Sequence, residues 1–364
     1  MDPVAHTLFG ATLAQTRLKH LTPLAAATLM IGANLPDVDV VVSAFGSDVS
    51  LLHRRGWTHG VVAMVVLPVV LAAVMVLYDR WFRRRRDPTR EPVDPRGVLI
   101  LSCLGVWSHP LLDWLNTYGV RLLMPFDGRW FYGDALFIID PWMWLLMGAT
   151  VVFAWSGGLL SKGGWAVLGL LTTALVTWAP MVPVAAKVVW WVGIGVILVA
   201  RIRGVEPAAN QRWAAVCVAA FFVYVGLTMT GNQVARQGVE QWLESQGFSG
   251  AEVAMTGPVP ANPFAREVVA VTDEYYLGAE VRWWRRAEVY RLRYEPVLRV
   301  DPDETVKRAL EAHEARGFVN WMRFPVYEVR EDAGGTEVLI RDLRYVDPDE
   351  EDSPGIGMIR VRVD

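Results

Sequence analysis

The sequence predicts a mostly α protein: a polytopic helical membrane domain over residues 1–230, followed by a small α+β soluble domain over residues 231–364. Three observations predict it. Hydrophobic residues make up 53% of the chain, with 17 Trp and a mean hydropathy of +0.28, which is too apolar for a single soluble domain. Apolar runs long enough to cross a bilayer recur through the first two-thirds of the chain. After Gly231 the composition turns polar, and apolar residues alternate in runs such as Glu267–Val271, Glu288–Tyr294 and Glu337–Ile340, around a polar helix from about Pro302 to Arg316.

In chain order, residues 3–17 predict a short helix with Pro3 in its first turn and Arg17, Lys19 and His20 after it. Residues 22–35 predict a half-span that runs into Asn34-Leu-Pro-Asp-Val-Asp39, where Pro36 breaks or kinks the helix and projects two carboxylates. A clean span follows from Val61 to Tyr78 and ends in Arg80, Arg83, Arg84, Arg85, Arg86 and Arg90. Further spans are expected at Val98 to about Asn116 and at about 136–156, 164–180, 184–200 and 212–230, with an amphipathic helix near 232–246. Asp134 and Asp140 fall in an aromatic connection suited to a lid or supporting shell.

The arginine cluster at 80–90 places that loop in the cytoplasm by the positive-inside rule. His53 and His59, then His109 and Asp113, fall toward the outer ends of their spans, and His6, Asp37 and Asp39 reach the same side. The expected location is thus a bacterial cytoplasmic membrane, with the site and the C-terminal domain on the outer face. The N-terminus lacks a basic n-region and a small-residue cleavage site, so no cleaved signal peptide is expected. Cys103 and Cys217 sit in apolar runs and predict neither a disulfide framework nor a thiolate zinc site. Interspersed charges in the C-terminal part do not indicate a nucleic-acid surface.

His109 and Asp113 are four apart and share a helix face, and Asn116 lies near that stripe. Ionisable groups at membrane depth cost several kcal/mol unless they are paired, metal-bound or open to water, to order of magnitude. A metal cation is the favoured partner, with His6, Asp37, Asp39, His53, His59, His109 and Asp113 as ligands. Each has an ordinary alternative: aspartates after a proline cap helices, a lone His6 is more often a cap or surface residue, and His109 with Asp113 can be a packing hydrogen bond.

His6, Asn34-Leu-Pro-Asp-Val-Asp39, His53-Arg-Arg-Gly-Trp-Thr-His59 and His109-Pro-Leu-Leu-Asp113, in that order, resemble the YdjM-type family of membrane-bound metal-dependent hydrolases. Asn116-Thr-Tyr-Gly119, Pro125-Phe126 and Tyr132-Gly-Asp134 extend the likeness, which covers the chain well to about residue 145. The resemblance implies a metallohydrolase without naming its substrate. The double arginine at 54–55 departs from the single arginine of the family pattern.

Imidazole and carboxylate donors suit zinc, with manganese or iron as alternatives, and seven candidates suggest one or two ions, two being bridged by Asp37 or Asp113. Arg54 and Arg55 suit a phosphate group, so Arg54 and Asp113 are the expected catalytic residues and a lipid or phosphoester the expected substrate, with membrane lipids as surroundings. A cation transporter or ion-binding protein using the same cluster is the second reading, although the candidates gather in the first 113 residues with no matching second half. A third makes the membrane part a mere anchor for the C-terminal domain.

Overall fold

In a computed structural model, the structure describes residues 1–364 apart from 249, 286–287, 333–334, 349–355 and 364. The chain divides into two compact units, Met1–Val38, Arg55–Thr228 and Val259–Asn262 in the first, and Asp39–Arg54, Met229–Pro258 and Pro263–Asp364 in the second.

The first unit is helical. Helix α1 (Pro3–Leu13) is opened by Asp2, whose side chain accepts from the Ala5 amide, and it stops short of the expected residue 17 because Thr16 caps a separate 3-10 turn at Arg17–His20. Helix α2 (Ala25–Gly32) leads into a 3-10 segment, Leu35–Phe45, so Pro36 tightens the helical path instead of ending it. After α3 (Ser47–His53), helix α4 (Val61–Tyr78) continues through a π-helical turn at Asp79–Arg83 into α5 (Arg84–Arg86). Helix α6 (Pro95–Trp114) is capped by Asp94 and α7 (Pro141–Trp155) by Asp140, whose carboxylate also accepts from the Tyr224 hydroxyl. That cap starts α7 five residues later than expected for the 136–156 span, and it gives Asp140 a structural task in place of a lid.

Helices α8 (Leu159–Trp178), α9 (Val184–Arg203) and α10 (Pro207–Ser245) follow, and the last is one 39-residue helix that includes the amphipathic stretch expected near 232–246. By length and composition, six helical segments can cross a membrane: Ala25–Phe45, Val61–Arg86, Pro95–Trp114, Leu159–Trp178, Val184–Arg203 and Pro207–Ser245. Close approach holds α2 on α6. A Cβ on Gly32 would stand 3.1 Å from the Gly105 Cα, and a Cβ on Gly105 would stand 3.0 Å from the Leu29 carbonyl oxygen. Leu71, Met75, Val98 and Val106 pack where α4 meets α6.

In the second unit, strands β1 (Glu252–Val259), β2 (Asn262–Val271), β3 (Tyr275–Arg282) and β4 (Glu288–Leu292) lie side by side, with β5 (Val297–Leu298) also on β3. Strands β6 (Pro325–Asp332), β7 (Gly335–Asp342) and β8 (Met358–Val363) form a second, antiparallel sheet. Val239 and Leu243 of α10 bury against Val268, Leu277 and Val281. The polar helix expected from 302 to 316 divides into α11 (Glu304–Glu311) and α12 (Arg316–Trp321), because Ala312 leaves the helical region at ψ 144°. Within this unit α3 packs on α12, where Gly317 meets the Asp48 carbonyl so closely that any Cβ would collide with it. Arg344 is buried, lies 4.2 Å above the Trp321 ring and donates to Asp342 at 2.7 Å.

Candidate metal centre

Three segments of the first unit deliver the site. Helix α6 presents His109 and Asp113 one turn apart, both fully buried. Asp37 follows α2, where the Asn34 side chain donates to the Met30 carbonyl at 2.8 Å and the Asn34 carbonyl accepts from the Asp37 amide at 3.1 Å. His59 sits on the loop before α4. That loop is clamped by the 119–124 strip: the Arg55 carbonyl accepts from the Arg121 amide and the Leu122 carbonyl from the Val61 amide, each at 2.9 Å. Gly60 has no room for a side chain, since a Cβ would lie 2.3 Å from the Met124 carbonyl oxygen.

Asp37, His59, His109 and Asp113 each turn one donor atom into a space where all four lie within 4.8 Å of one another. His59 Nε2 stands 3.1 Å from His109 Nε2 and 3.3 Å from Asp113 Oδ2. His109 Nε2 stands 3.5 Å from Asp113 Oδ2 and 3.6 Å from Asp37 Oδ1. Donors held 2.0–2.1 Å from a tetrahedral ion are separated by about 3.3–3.4 Å; these four of the six donor distances lie near that value, and all six are within 4.8 Å.

Protonation supports the same fit. His109 Nδ1 lies 2.7 Å from the Ala33 carbonyl, which can only accept, so Nδ1 carries the proton. In the neutral ring the Nε2 lone pair is then left to face the cluster. An imidazole that donates its outer N–H to a backbone carbonyl is the usual support of a metal-bound histidine. Asp37 differs from the other three in being 17% exposed, which puts the solvent side of the cluster at its carboxylate.

The other face of Asp113 is cationic. Its Oδ1 accepts from Arg55 Nη2 at 3.0 Å, lies 3.2 Å from His6 Nε2, and is met by the amino group of Met1. His6 stacks on His109 with ring centroids 3.8 Å apart. Burial pulls the His6 imidazole down to about 3, so it remains neutral. Arg55 also donates to the Asn116 side chain at 3.1 Å and the Gly119 carbonyl at 3.2 Å, and lies over the Tyr118 ring.

Of the expected ligands, the structure therefore brings together Asp37, His59, His109 and Asp113, with His6 behind them. Asp39 and His53 stand outside this four-residue set, in the second unit. Asp39 Oδ1 is 3.8 Å from Arg54 Nε, and His53 ends α3 exposed, because α3 is held by α12. The arginine on Asp113 is Arg55, while Arg54, expected to meet substrate charge, lies beside Asp39. Arg55 has φ 53°, and this left-handed turn between two neighbouring arginines has no signature in their side chains. Asn116 is the positioning residue for Arg55 that sequence reasoning left without a task; its one signal was its place seven residues after His109.

The uncharacterized protein YfhP of Bacillus subtilis (strain 168) is 24% identical to this chain over 158 residues, which cover 43% of the chain and 40% of that protein. The chain thus spans well under two-thirds of this relative's length. No solved structure is a significant match. The family described as YdjM inner membrane protein matches residues 1–186, which carry every member of the buried cluster, and the chain belongs to that family.

Proposed function

We propose that this protein is a membrane-embedded metal-dependent hydrolase of a phosphoester or lipid-type substrate. The observation that carries the reading is the convergence of His59, His109, Asp113 and Asp37, whose donor atoms all lie within 4.8 Å of one another. A divalent metal, zinc first by its donors, would supply Lewis acidity that acidifies water toward neutral pH. His59, His109 and Asp113 would hold it from a buried wall, and Asp37 would close the more exposed side. Arg55 is placed to balance negative charge on a phosphate, with Asn116 and Gly119 holding its guanidinium in position.

One ion fits better than two. The Oδ1 side of Asp113 already faces the Arg55 guanidinium, so a second dication there would meet like charge. By the loop charges, the cluster opens on the outer face of the membrane, at headgroup depth. The test is metal content of detergent-purified protein beside His109→Ala and Asp113→Ala variants, followed by phosphodiester and phospholipid hydrolysis with the metal-loaded protein. About one equivalent of metal, lost in both variants, together with turnover that falls at least a hundredfold in them, is expected. Absence of metal after zinc and manganese supplementation would overturn the reading; bound metal with cation uptake into proteoliposomes and no hydrolysis would favour transport.

A further inference from the structure

Helices α1, α7, α8 and α9 surround a cavity of about 780 Å³ that the proposed chemistry does not use. Its walls are apolar, with Leu8, Leu145, Trp165 and Ile194 among them, and its size falls in the range of ligand pockets, which run to about 1,000 Å³. Its polar groups are not scattered. Lys162 opens α8 and Arg201 closes α9, and because these helices are consecutive and joined by a short turn, both cations lie at one end. Arg201 is held there by its bonds to the Ser156 side chain and to the Ser156 carbonyl, the latter at 2.6 Å. Among the described residues, no Asp or Glu lines the cavity.

Two wall positions are glycines. At Gly148 and Gly169 an added Cβ would meet no atom within 4 Å, so these helix faces leave space where any other residue would intrude. A void with long apolar walls and two cations at one rim matches the chemistry of a membrane lipid with an anionic headgroup. We propose that this cavity binds one anionic phospholipid, its acyl part along α7, α8 and α9 and its phosphate at Lys162 and Arg201. The site is separate from the metal centre and independent of the hydrolase reading.

The test is native mass spectrometry of the full chain in detergent with palmitoyl-oleoyl phosphatidylglycerol or the matching phosphatidylcholine added. Wild type is expected to retain one phosphatidylglycerol with a preference of about tenfold over phosphatidylcholine. Lys162→Gln, an exposed position that carries no packing, should reduce that preference several-fold. Gly148→Leu with Gly169→Leu should abolish retention while metal content stays at the wild-type level, which shows that the variant is folded. Equal retention of both lipids by wild type, or undiminished retention by the filled variant, would overturn the proposal. So would a dimer that dissociates only in the filled variant, which would assign the cavity to a second copy of the chain.

Discussion

His109 joins three features of the site in one ring: its Nδ1 proton is spent on Ala33, its Nε2 faces three donors, and its face stacks on His6. That arrangement leaves it a single useful protonation state. Arg55 is the neighbouring residue whose role is least obvious and most testable. It is not a metal donor, and its positive charge opposes a cation nearby. Arg55→Ala should leave Asp113 short of a countercharge and destabilise the metal-free protein by about 3–5 kcal/mol. The same variant should keep or tighten metal binding, which separates it from every ligand variant; thermal melts and metal titration read the two effects. Arg55→Gly should be the more stable of the two by about 1 kcal/mol, because glycine accepts the left-handed backbone at φ 53° without cost. Equal stability of the two variants would deny that strain. At this scale the pairing of His109 with Asp113 was legible from their spacing of four. The placement of Arg55 on Asp113 was not, since it depends on one backbone dihedral.

At the scale of elements, the cluster depends on how closely α2 meets α6. Helix α2 delivers Ala33 to His109 and leads to Asp37, while α6 carries the other pair of donors, and Gly32 against Gly105 sets their separation. Gly105→Leu should force the helices apart, cost about 1–3 kcal/mol of stability, and weaken metal binding at least tenfold although residue 105 supplies no side-chain donor to the cluster. Unchanged metal affinity in a folded Gly105→Leu protein would mean that the cluster does not depend on this contact. Apolar runs made most helices legible, although the Asp94 cap starts α6 at Pro95, three residues before the expected Val98. The 3-10 path through Leu35–Phe45 was not legible. Proline forbids one backbone donor but does not say whether the chain turns away or tightens, and the answer came from the tertiary contacts around it.

For the whole molecule, six segments able to cross a membrane precede a sheet-containing C-terminal part, as hydropathy and alternation require. The proposed orientation rests on arginines 80–90. In a Cys103→Ala, Cys217→Ala background, Thr89→Cys should react with an impermeant maleimide only after the cells are opened; labelling of intact cells would invert the topology and place the cluster on the cytoplasmic face. The sequence by itself determined which stretches are too apolar for water, where the chain becomes soluble, and that His109 and Asp113 share a helix face, because periodicity and transfer energy are local properties. Only the tertiary structure decided that Asp37 and His59 join them while Asp39 and His53 do not, and that Arg55 holds Asp113. Those outcomes turn on ångström-scale distances between segments far apart in the chain, set by glycine contacts and a clamped loop that no local pattern encodes.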